Sequence, residues 1–198
     1  MSLVLRTHSV WLCISVAILC GAVAGMFGKQ LISVPFLGGL IMPTQMPASV
    51  IPALLLSVVL GSSIAGAERL WAGASVRNCW AYSLAYLIGV CVIAVGACFV
   101  VSVASLQGMA PTILFFRDLA SLLALWLVAT LGGLGPVASV LPVGYVVFSS
   151  AFARNKSAEF FPWAWIMEPH PYSCIGVVVI VAGISAGLVL VRTRRPLR

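Results

Sequence analysis

The residues of this chain that could do chemistry are few: His8 and His170, the single aspartate Asp118, three glutamates and six cysteines. Their spacing fits none of the familiar mechanisms. HExxH is absent, and two distant histidines do not make a zinc site without substantial help from other ligands. With Asp118 alone, a paired-aspartate mechanism within one chain has no second member. Gly61-Ser62-Ser63 resembles part of a serine-nucleophile turn, but GxSxG fails and no histidine lies in an apolar stretch to act as base. Hydroxyl-lined helix packing is the simpler role for that stretch. The sole Gly-Lys, Gly28-Lys29, has Val23 where a phosphate-binding loop needs glycine and Gln30 where it needs a hydroxyl. An intramembrane enzyme using Ser62, Glu68 or Asp118 would lack an activating partner. The cysteines form no CxxC pair. Cys13 and Cys20, like Cys91 and Cys98, stand seven apart and share a helical face, as small apolar packing residues do. No catalytic, cofactor-binding or metal-binding residue is therefore assigned, and the chain is read as a non-enzyme.

The elements that would carry these residues are set by composition. Of 198 residues, 62% are hydrophobic and only 8% charged, against roughly 25% charged in a soluble domain. So few charges cannot cover a water-soluble fold. The net charge of +7 is scattered between apolar runs, which speaks against nucleic acid, except in the tail Arg192, Arg194, Arg195 and Arg198, which reads as a topology signal first and an anionic-lipid contact second. The expected fold is all-α, a single polytopic domain over 1–198 with six spans: Ser9–Phe27, Ala48–Ala67, Cys79–Leu106, Leu119–Leu131, Val137–Phe152 and Ser173–Val191. Ala22-Val23-Ala24 imitates a signal-peptidase site, but the apolar run continues beyond it and is too long for a signal core. Pro35, Gly38, Gly39, Pro43 and Pro47 make 31–47 an outer loop partly dipping into the membrane. Pro52 is expected to kink the second span, and Gly132 to Pro136 forces the fourth and fifth spans into a tight hairpin.

With the N-terminus inside, the inner face holds seven basic residues and the outer face four, namely Lys29, Arg117, Arg154 and Lys156, so both termini are expected in the cytoplasm of a cell (inner) membrane protein. In this layout every charge sits at a loop or span end, which disfavours transport driven by a buried carboxylate. Arg117-Asp118 is expected just ahead of the fourth span, neutralising itself at the interface. Glu68, Arg69, Trp71 and Arg77 form a charged island between uncharged spans and suit an amphipathic turn on the inner face. Between the last two spans, Trp163, Trp165, Glu168 and His170 belong to an outer interfacial segment, the tryptophans at headgroup level. Gly183 and Gly187 offer a GxxxG face for close helix packing.

Val34-Pro35-Phe36-Leu37-Gly38-Gly39, the run Ile51 to Leu56 leading to Glu68-Arg69, and Pro162-Trp163-Ala164-Trp165 ahead of a last span resemble small permease-like proteins of actinobacteria. The six-span layout resembles, more broadly, the membrane subunit of bacterial type 2 ABC exporters. The resemblance implies that Glu68 to Arg77 couples to a separate cytoplasmic ATPase subunit and that 153–172 folds as short re-entrant outer helices. It further implies that two permease subunits pair, as a homo- or heterodimer, to export a hydrophobic or amphipathic molecule through the lipid bilayer. The alternative is a small structural or immunity-type membrane protein that acts by helix packing without transport.

Overall fold

The computed structural model describes residues 10–34, 44–71, 79–152, 162–168 and 174–193. In chain order these form α1 (Val10–Phe27), β1 (Leu31–Val34), β2 (Thr44–Pro47), α2 (Val50–Trp71), α3 (Cys79–Ala104), α4 (Ala110–Leu131), a 3-10 turn (Gly135–Ser139), α5 (Leu141–Phe152), a second 3-10 segment (Pro162–Met167) and α6 (Cys174–Thr193). Helices α1 to α4 are long and apolar enough to cross a membrane. At about 1.5 Å per residue, the 18 residues of α1 and 22 of α4 reach about 27 and 33 Å, either side of a hydrocarbon core of roughly 30 Å. The apolar stretches Val137–Phe152 and Ile180–Leu190 are shorter.

Two expectations need correction. The outer loop is not wholly irregular: β1 and β2 pair antiparallel, Leu31 opposite Pro47 and Val34 opposite Thr44, adding a small hairpin to an otherwise helical fold. The fourth apolar helix starts nine residues earlier than expected, at Ala110 rather than Leu119. Pro111 in its first turn explains this, because a proline there sacrifices no intrahelical bond and brings a helical φ. The same reasoning applies to Pro52 and Pro142, which fall in the first turns of α2 and α5. Helix α2 also continues through Glu68 to Trp71, so the island begins as the last turn of that helix.

Hydrogen bonds at the helix ends show how the chain alternates. Ala48 donates its backbone N–H to the Gln30 carbonyl, Lys29 Nζ reaches the Gln107 carbonyl at 2.6 Å, and Gln107 Nε2 reaches the Met26 carbonyl at 2.6 Å. The ends of α1 and α3, the starts of α2 and α4, and the hairpin thus gather at one end of the bundle. The α3–α4 reversal is tight enough to put Leu106 at φ 58 and Gly108 at φ 72. Glycine takes that left-handed conformation freely, and leucine does so at a cost.

Between helices in lipid there is little hydrophobic driving force, so close packing has to hold them. On α1 the buried residues are Cys13, Ala17, Cys20, Gly21, Ala24 and Gly25, a single stripe of small side chains. It lies along α3, which runs parallel: a Cβ built on Gly21 would collide with the Ala94 carbonyl, and one on Gly25 would stand 2.7 Å from the Cys98 carbonyl oxygen. Across the bundle α6 lies on α4 in the same way, Gly183 against Ala124. Gly61 of α2 seats the Trp126 indole of α4, leaving 2.9 Å between a built Cβ and Nε1. The Tyr86 hydroxyl is hydrogen-bonded to Cys13 and Ser63, tying α3 to α1 and α2.

Replacing Gly21 by Leu should push α1 off α3 and cost about 1–3 kcal/mol, the range for overpacking. Gly89→Leu, where nothing lies within 4 Å, should leave stability unchanged or raise it. Thermal unfolding of the two variants in the same detergent checks this, and equal midpoints would show that the stripe is not close-packed.

Candidate functional site

The polar centre of the molecule is Arg117-Asp118. Eight residues into α4, about 12 Å along its axis, Asp118 is fully buried, and Arg117 is 5% exposed. The pair, expected just ahead of the fourth span, lies instead within α4, an apolar helix long enough to cross a membrane. Burial is tolerable because each group is partnered. Arg117 Nη2 and Nε donate to Asp118 Oδ1 at 2.8 and 3.0 Å. Ser49, just ahead of α2, donates its hydroxyl to Oδ2 at 2.6 Å. The remaining arms of the guanidinium turn to backbone: Nη1 donates to the Glu168 carbonyl at 3.0 Å and Nη2 to the Ile166 carbonyl at a longer 3.4 Å.

These bonds join three separated parts of the chain, the start of α2, helix α4 and the Pro162–Met167 segment. The segment is a 3-10 helix broken at Ala164 (φ −95, ψ 25). Its residues Ala164, Trp165, Ile166 and Met167 are buried. Tyr145 of α5 stacks on Trp165 with ring centroids 4.8 Å apart, and its hydroxyl interacts with the Ile166 backbone.

A second feature lies in apolar surroundings. Helices α3, α4 and α6 enclose a groove of about 780 Å³, lined by side chains such as Leu87, Val95, Phe116, Leu123 and Ile184. From Leu84 to Phe99 on α3 it extends about 22 Å. Among the described residues Thr112 supplies the one hydroxyl of its lining, and donates to Ser102 at 3.4 Å. Exposed Val92, Phe99 and Phe116 leave its side open. The small residues Gly96, Ala120 and Gly187 leave the space that forms it.

The sequence candidates fall differently. Trp165, expected at headgroup level, is instead buried against Tyr145, because the Arg117 bonds draw its segment inward. Glu168 contributes through its carbonyl rather than its carboxylate. Gly183 packs on Ala124 of α4, Gly187 lies between Leu84 of α3 and Leu127 of α4, and both line the groove. Glu68, Arg69 and Trp71 end α2, with their side chains outside the described residues, as are Arg77, the Trp163 side chain and His170. Ser62 donates to the Val59 carbonyl at 3.0 Å on an exposed face, a helix-internal bond. Cys13, Cys20 and Cys98 are buried in helix contacts, as the packing reading expects. Among the described residues no group of three metal-ligating side chains occurs. Sequence reasoning missed the Ser49–Asp118–Arg117 relay and the groove. Pro111 was the signal that could have moved the start of α4 and enclosed the charges.

Asp118→Asn should leave the Arg117 charge buried without its counter-ion and cost about 3–5 kcal/mol. The double variant Arg117→Met with Asp118→Leu should be markedly less destabilised than Asp118→Asn alone. Unfolding midpoints in detergent, compared across the set, check the order, and a double variant at least as unstable as the single one would refute it. Comparison with protein-family models, curated proteins and solved structures finds no match to this chain.

Proposed function

We propose that this chain is the non-enzymatic membrane subunit of an ATP-driven permease that exports a hydrophobic or amphipathic molecule. The observation that carries the reading is the groove between α3, α4 and α6, whose apolar wall runs about 22 Å along α3, which like α4 is long and apolar enough to cross a bilayer. Such a surface favours a lipid-like part of a cargo and offers little to a small polar one. In this reading all six helices cross the cell membrane, both termini are cytoplasmic, and two permease subunits pair. Energy comes from a separate cytoplasmic ATPase that presses on Glu68, Arg69, Trp71 and Arg77. Helix α2 suits the transmission, because it runs unbroken from Val50, next to the Asp118 partner Ser49, to Trp71 in the proposed coupling turn.

A carrier that loads and unloads a proton on Asp118 is less well supported, since the carboxylate is already held by Arg117 and Ser49. A purely structural role through a Gly183 seam also loses support, because that glycine is already covered by Ala124 of its own chain.

Purification of the tagged chain from its native membranes should bring down an ATPase, and the double variant Arg69→Glu with Arg77→Glu should lose it. Gly96→Leu fills the groove where nothing lies within 4 Å. It should keep the ATPase bound and lower ATP turnover of the complex in nanodiscs. Undiminished association in the charge-reversed variant would remove the coupling role.

A further inference from the structure

We propose that Pro162–Met167 is a lid over the Arg117 end of the bundle, that Arg117 is its latch, and that the lid opens as a unit while the long helices stay packed. The inference does not depend on the ATP-driven reading.

Four observations carry it. First, the segment is poorly suited to hold its own shape: it is a 3-10 run of six residues, interrupted at Ala164, and such runs have strained hydrogen-bond geometry. Its position is therefore set by what it touches, namely α5, α6 and β2, together with the Arg117 bonds to the Ile166 and Glu168 carbonyls. Second, the latch is itself fixed from the far side. Asp118 holds two arms of the guanidinium, and Ser49 holds Asp118, so the donors are aimed before the segment arrives. A guanidinium offers five N–H donors in a rigid fork, and an ammonium could not reach carboxylate and carbonyls in the same geometry.

Third, the closed position carries a defect. The Trp165 indole is buried, and its Nε1 has no hydrogen-bond partner among the described residues. Opening would let that N–H reach water or headgroups, where tryptophan is favoured. The closed lid is thus stabilised by Ile166, Met167 and the Arg117 bonds, and opposed by one unsatisfied donor. Fourth, the latch is separate from the contacts that hold α1 on α3 and the Trp126 indole on α2. The α1–α3 stripe and the Gly61–Trp126 seat use neither Arg117 nor the segment. Release at one place need not loosen the other.

Hydrogen exchange of the full chain in nanodiscs, read by mass spectrometry, tests the proposal. Arg117→Lys keeps a positive charge beside Asp118 and removes the fork. Amides of 163–168 should then exchange at least tenfold faster, with exchange in α1 and α3 as in the wild type. Trp165→Phe removes the unsatisfied donor and keeps an aromatic ring on Tyr145, so the same amides should exchange more slowly. Where Arg117→Lys does not yield folded protein, the pair Arg117→Met with Asp118→Leu removes the latch without stranding a charge, and should show the same local opening. Unchanged exchange at 163–168 in the latch variants would overturn the proposal. So would an equal rise across α1 and α3, which would make Arg117 a support of the whole bundle, or faster exchange in Trp165→Phe.

Discussion

A charged pair placed among apolar helices fixes more of this structure than any other contact. In low dielectric an unpartnered guanidinium or carboxylate is very costly, so each must find partners wherever the chain supplies them. Arg117 and Asp118 are neighbours in sequence, and neutralise each other without help from another element. What is left over, one carboxylate oxygen and the outer arms of the fork, has to be met from outside α4. Ser49 answers the first and the Ile166 and Glu168 carbonyls answer the second. The register of α2 against α4 and the inward fold of the 162–168 segment both follow from that requirement.

The rest of the bundle obeys a different rule. Lipid tails are as apolar as leucine, so burying a leucine between two helices gains little over leaving it in the bilayer, and contact area has to come from closeness. The small-residue stripe of α1 on α3 and the Gly183–Ala124 approach of α6 on α4 meet that need. Larger side chains enter where a glycine faces them, as Trp126 does over Gly61. Some hydroxyls in the helices close onto their own backbone, Ser57 on Leu54, Thr130 on Trp126 and Ser150 on Val147, and so add no demand on neighbours.

Much of the helical layout can be read directly from the apolar runs. The bounds expected for the first, third and last apolar runs agree with those of helices α1, α3 and α6 to within two residues, since a long apolar run with an uncharged interior satisfies its own backbone best as a helix. Arg117-Asp118 was the place where that reading failed, and the cause is physical. A charge is a sound boundary marker when its partner is unknown, and the partners here come from 49, 166 and 168, far away along the chain. The β1–β2 hairpin was hidden for another reason: four-residue strands broken by prolines and glycines carry too little alternation to register. The groove is invisible in one dimension, because the small residues that open it are the same types that elsewhere bring helices together. Gly183 closes on Ala124, whereas Gly96 meets nothing within 4 Å. Only the third helix decides which role a glycine takes.

Helix α4 is where the two rules meet. Phe115, Leu119, Leu122 and Trp126 recur at helical spacing and are buried, while Phe116, Ala120, Leu123 and Leu127, one position on, line the groove. Arg117 and Asp118 lie in the same turns and turn towards α2 and the 162–168 segment. A helix is stiff along its axis, so these faces cannot shift independently. Any tilt of α4 that widens the groove at Phe116 also displaces the guanidinium one residue later, and a few tenths of an ångström matter to bonds already at 3.0 and 3.4 Å. The apolar groove and the Arg117 bonds thus occupy adjoining faces of a single helix, even though they share no side chain.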